Sequence, residues 1–128
     1  MSNIIELLSR VLLGQMFLLA GIGKLGEAYA GTAGYMKSMG VPDTLLPLVI
    51  VLEIAGGIMI ITGFKVKWAA YALAGFTLVA GVIFHSDFAD QMQMILFMKN
   101  MSIAGGLMLL TVYGSGKLSI DAKFKRGE

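Results

Sequence analysis

Apolar positions along this chain form four long runs, separated by short polar or glycine- and proline-bearing breaks. The runs cover about residues 4–25, 45–62, 68–85 and 92–113. Each is close to the roughly 20 residues that a helix rising about 1.5 Å per residue needs to cross a bilayer core. Gly40, Pro42 and Pro47 precede the second run, Gly63-Phe64-Lys65 divides the second from the third, and Asp87 and Asp90 divide the third from the fourth. Breaks this short make consecutive helices antiparallel neighbours. The pattern predicts an all-α membrane fold, a four-transmembrane-helix antiparallel bundle forming one domain over residues 1–128. In the longer connection after the first run, residues 32–39 suit a short outer-face helix, with Thr32 as its cap and Gly40 as its left-handed stop. That helix is either a lid over the outer end of the bundle or an ordinary connection. The polar, basic tail over residues 114–128 is expected to be solvated near anionic headgroups.

Within each run the small and polar residues fall on one helical face. In the first, Glu6, Arg10, Gly14, Phe17, Gly21 and Lys24 are spaced by 4, 4, 3, 4 and 3. In the third, Ala70, Ala74, Thr77, Gly81 and His85 repeat by 4, 3, 4 and 4. Glu53 shares a face with Gly56, Gly57 and Ile60 in the second, and Asn100 with Ala104 and Thr111 in the fourth. Small stripes let helices approach closely, and their polar groups bond across the seam. Four inward-facing stripes holding a bundle together account for most of these residues without any further function.

Composition agrees with the pattern. Of 128 residues, 57% are hydrophobic and 14% are charged, against roughly 45–50% and about 25% in soluble domains. There is no cysteine, which excludes disulfides, thiol relays, iron–sulfur clusters and Cys-ligated zinc, and the single histidine, His85, excludes a two-His metal site within one chain. The net charge of +2 is no nucleic-acid footprint. A cleaved signal peptide is a competing reading of the first run, and Ala28-Tyr29-Ala30 has the small-x-small form of a cleavage site. Against it, no Lys or Arg precedes the run, which contains Glu6 and Arg10 and exceeds the length of a signal core. If both termini share one side, that side receives Lys65, Lys67, Lys117, Lys123, Lys125 and Arg126, leaving Lys37 and Lys24 opposite. The positive-inside rule then puts both termini in the cytoplasm.

Ionisable groups inside a bilayer need a reason. Glu53 stands near the middle of its run and must be paired or neutral. Arg10 is the expected partner, its guanidinium extending about two turns along the bundle, and the pair is either structural or a proton site. A second group, Lys24, His85, Lys99 and Asn100, converges from three helices toward the outer face and suggests a ligand pocket for a headgroup, a quinone carbonyl or an anion. Against it, Lys24 snorkels and His85 caps a helix at the water boundary. Other signals are weak. Gly21-Ile22-Gly23-Lys24-Leu25-Gly26 matches G-x-G-x-x-G, but it closes a helix instead of opening one after a strand. Gly114-Ser115-Gly116-Lys117 is half a phosphate loop. His85-Ser86-Asp87 with Asp90 is a poor metal set, so no metal is expected. Five of ten methionines lie between Met92 and Met108; they are ordinary gap-fillers, and a His85–Met haem is the weaker reading.

These residues together resemble the DoxX family of small bacterial inner-membrane proteins, in its plain four-helix branch. The resemblance runs through Arg10, Gly14, Phe17, Ala20-Gly21 and Lys24, then Gly31-Thr32, Tyr35-Met36 and Gly40-Val41-Pro42. It continues through Glu53, Gly63-Phe64 and His85 to Lys99-Asn100-Met101-Ser102-Ile103-Ala104-Gly105 and the tail Gly116-Lys117-Leu118-Ser119-Ile120-Asp121. It implies a link to quinone-dependent sulfur and terminal oxidase systems, from which the family takes its name, and to membrane oxidoreductase assemblies. Three functions stay open: an accessory subunit of a quinone-linked redox system, a non-catalytic assembly protein working with a membrane oxidoreductase partner or its own copies, and a small proton-coupled carrier. None has a complete catalytic constellation in the chain.

Overall fold

The computed structural model describes residues 2–126; Gly127 and Glu128 of the expected tail lie outside it, as do the side chains of Lys125 and Arg126. Among the described residues six α-helices follow one another: α1 (Ser2–Ile22), α2 (Ala28–Ser38), α3 (Leu46–Thr62), α4 (Val66–Phe84), α5 (Gln91–Tyr113) and α6 (Ile120–Arg126), with a 3₁₀ turn at Asp43–Leu45 before α3. The four long helices are those predicted from the apolar runs, and each is long and apolar enough to cross a membrane.

The buried faces are the small stripes. Arg10, Gly14, Phe17 and Gly21 are the buried residues of α1. In α3 they include Glu53, Gly56, Gly57 and Ile60, and in α4 Ala70, Ala74, Thr77 and Gly81. α1 lies closest along α3 because glycine faces backbone on both sides: a Cβ on Gly57 would fall 2.7 Å from the Leu18 nitrogen and 2.8 Å from the Gly14 carbonyl. α3 packs on α4, α4 packs along α5, and α1 touches α5 only slightly. The helices therefore stand in the order α1, α3, α4, α5. The central core joins Phe17, Ile60, Leu73 and Leu107 through the alanines of α4.

The short connection helix starts at Ala28, earlier than expected, because Thr32 is no cap: its hydroxyl bonds back to the Ala28 carbonyl at 2.9 Å. Gly40 does provide the left-handed stop, at φ 80°. Met36 seats α2 on Leu46 and Ile50 of α3, and Tyr35 stacks on Phe84 of α4 with ring centroids 5.5 Å apart.

The tail departs from expectation. It is docked under the bundle end that carries both termini. Gly114 and Gly116, at φ 78° and 82°, turn the chain back. Ser119 caps α6 through the Ala122 amide at 3.1 Å. Asp121 then caps a different helix: its carboxylate accepts from the Lys65 and Val66 amides, at 2.6 and 3.0 Å, where α4 begins. Its own amide donates to the Gly63 carbonyl at 2.9 Å.

Candidate functional site

Two basic side chains on the stripe of the first run reach α3 at different depths, one at its middle and one at its C-terminal end. Lys24 follows the end of α1, where the chain leaves the helix through single turns from Gly21 and Ile22. Its ammonium folds back and donates to Glu53 Oε1 at 2.7 Å and to the Ala20 carbonyl at 3.3 Å. Gly21 makes this possible, because a Cβ there would sit 3.1 Å from Glu53 Cβ. The Lys24 side chain keeps 26% of its surface open and Glu53 only 6%. The pair is thus a buried carboxylate held by a cation that opens to one side.

Arg10, 1% exposed, lies at the C-terminal end of α3. Its Nη1 donates to the Ile61 carbonyl at 3.0 Å and to the Ile60 carbonyl at 3.4 Å, and its Nη2 to the Leu118 carbonyl. Ile60 and Ile61 are in the last turn of α3, whose carbonyls have no partner within the helix and carry the negative end of its dipole. Arg10 is therefore the C-terminal cap of α3, supplied by α1 and tied to the tail. The expected Arg10–Glu53 pair does not form. Arg10 is level with Gly63, and Glu53 is level with Gly21, so about eleven residues of α1, roughly 16 Å, separate them. No arginine extends that far.

The expected convergence of Lys24, His85, Lys99 and Asn100 divides in the same way. Lys24 belongs to the α1–α3 seam. On the α4–α5 seam, His85 Nδ1 pairs with Gln93 Oε1 at 3.1 Å. One turn deeper, Asn100 packs where a Gly81 Cβ would meet it at 3.2 Å, and it donates to the Thr77 carbonyl at 3.2 Å. The Thr77 hydroxyl beside it is buried without a partner. Lys99 is exposed on α5. Asp90, considered above as part of a metal set, caps α5 through the Met92 amide at 2.9 Å. Gln93 and Thr77 were not singled out from the sequence. Gln93 is eight residues beyond His85 across a tight turn, a spacing that returns it to the end of α4. Thr77 lay in the α4 stripe and carried no other mark.

Four membrane-crossing helices, glycine-tight seams and one ion pair buried between spans define a small multi-pass membrane protein. The comparisons place it more closely. The DoxX family model matches residues 5–86. Over 115 residues the chain is 48% identical to inner membrane protein YqjF of Escherichia coli (strain K12), covering 90% of this chain and 88% of that protein. Over 127 residues it is 33% identical to inner membrane protein YphA of the same organism, covering 94% and 90%. The chain belongs to the DoxX family and is a multi-pass inner membrane protein. No solved structure matches it significantly.

Proposed function

We propose that the chain is an accessory membrane subunit of a quinone-linked redox system, with Glu53 and Lys24 handling a proton and the α4–α5 seam receiving a quinone head. The ion pair carries this reading. A carboxylate buried between membrane spans persists beside a counter-charge or as the neutral acid, and exchange between those states moves one proton. Lys24 suits the exchange: its stem is flexible, its ammonium already divides its donors between Glu53 and the Ala20 carbonyl, and its side chain is partly open. His85 and Asn100 are the side chains that would hold a quinone carbonyl. The orphaned Thr77 hydroxyl is a polar atom that such a carbonyl would satisfy. A quinone held there would exchange electrons and protons with a partner enzyme. Both termini belong in the cytoplasm on this reading, since Lys65, Lys67, Lys117 and Lys123 share their end of the bundle.

The test is gentle purification followed by lipid extraction and mass spectrometry, with quinol-dependent respiration measured in membranes whose only copy is wild type, Glu53→Gln or Lys24→Met. Enriched quinone and slowed respiration in the variants support the proposal. Background quinone together with unchanged respiration sinks it.

A second reading, a non-catalytic assembly protein, is favoured by α5. That helix buries only Ala104 and Leu107, and it exposes Met98, Met108 and Lys99. A lysine on a lipid-facing surface is costly without a partner. Crosslinking from a photoreactive residue at Met98 tests this: a discrete partner adduct, or one to a second copy, supports it, and a chain that migrates alone counts against it.

A further inference from the structure

The end of the bundle that carries the termini holds a cleft of about 770 Å³, lined in part by Lys65, Lys67, Lys117, Trp68, Tyr113 and Glu6. None of the three ammoniums is in an ion pair among the described residues; the pairs recorded are Lys24–Glu53 and Lys37–Asp43. Lys65 Nζ lies over the Phe64 ring, 5.5 Å from its centroid. Two carboxylates also line the cleft. Glu6 and Asp121 set two negative charges against the three ammoniums, the Asp121 oxygens also accepting from the Lys65 and Val66 amides, which leaves one positive charge among the described lining residues. The cleft is therefore net cationic.

Trp68 lines a second hollow as well. This is an apolar groove of about 330 Å³ on the lipid side of α3 and α4, running from Leu48 to Met59 with Gly56, Ala55 and Ala72 as its small-residue walls. Eleven residues of α3 separate its ends, about 16 Å of helix. Trp68 is 74% exposed and Tyr113 is 80% exposed, as amphipathic rings are at the headgroup level. A cationic cleft and an apolar groove thus meet at one interfacial indole.

We propose that this composite surface is a binding site for an anionic glycerophospholipid, its phosphate held by Lys65, Lys67 and Lys117 and one acyl chain lying in the α3–α4 groove. Net positive charge selects an anionic headgroup over a zwitterionic one, and basic clefts at helix ends are suited to such headgroups. The groove distinguishes a lipid from a free phosphate ester, which needs the lysines alone. The proposal is independent of the Lys24–Glu53 pair, which faces α1 from the middle of α3 and does not line the groove.

Trp68 is the only tryptophan in the chain, so its fluorescence reports this site. The full chain is reconstituted in vesicles of mixed phosphatidylglycerol and phosphatidylcholine, with bromine on the acyl chains of one lipid at a time. Brominated phosphatidylglycerol is expected to quench Trp68 at roughly one fifth the mole fraction that brominated phosphatidylcholine needs, since each lysine near an anionic lipid strengthens attraction about five-fold and Glu6 and Asp121 offset two of the three. The exposed triple variant Lys65→Gln, Lys67→Gln, Lys117→Gln should lose that preference while keeping its helical circular dichroism. Ala72→Phe, which fills the groove from an exposed position, should weaken quenching by both lipids. Equal quenching by the two lipids in the wild type overturns the proposal, as does a preference that survives the triple variant. Displacement of the lipid by millimolar glycerol 3-phosphate also overturns it, in favour of a free phosphate ester.

Discussion

Arg10 and Lys24 are fourteen residues apart on one stripe of α1, yet one closes a helix end and the other holds a buried acid. The difference is in what each side chain can satisfy. A guanidinium presents a fork of donors and suits several carbonyls at once; an ammonium is a point charge that suits a single carboxylate. Arg10→Met keeps the bulk but strands the Ile60, Ile61 and Leu118 carbonyls, and unfolding in mild detergent should show a loss of about 2–4 kcal/mol. Arg10→Lys should recover only part of it. Asp121→Asn keeps an acceptor but removes the negative charge from the start of α4, so the loss should be smaller, about 0.5–1 kcal/mol. Glu53 was legible as a buried acid in need of a partner, but the identity of that partner was not. Residue spacing reports which face a charge occupies and says little about its depth relative to a neighbouring helix.

At the scale of elements, depth is set by glycine. Gly57 lies between Gly14 and Leu18 across the α1–α3 seam. Carried along an antiparallel pair, that register puts Arg10 beside Gly63 and Glu53 near Gly21. The glycines were visible as stripe members; pairing them across the seam was the missing step. Gly57→Ala forces two backbones apart and should cost about 1–3 kcal/mol in thermal melts. Gly105→Ala is the matched control, because nothing lies within 4 Å of the added Cβ and the helix gains propensity; it should be neutral or stabilising by up to about 1 kcal/mol. If the two substitutions cost the same, close backbone approach is not what holds α1 on α3. The long helices were readable because their apolar runs are continuous. The docking of α6 was not, because Asp121 serves an amide 56 residues away in sequence, and no local pattern announces a remote cap.

For the whole molecule, the chain's lack of cysteine makes topology directly measurable. Ser86→Cys, at the exposed α4–α5 turn, and Lys123→Cys, exposed on α6, should react with a membrane-impermeant maleimide from opposite sides, with Lys123→Cys protected in intact cells if the termini are cytoplasmic. Labelling of both from one side would rule out the four-crossing arrangement. The α3–α4 turn is gripped by Arg10 from the first helix and by Asp121 from the last. During synthesis the two helices of that hairpin enter the membrane long before residue 118 leaves the ribosome. Until then the Arg10 guanidinium lacks its Leu118 acceptor and the start of α4 lacks its carboxylate. The docking of residues 118–121 therefore acts as a latch on helices already inserted, and a chain cut before Leu118 loses the tail's hold on Arg10 and its cap on α4 at once.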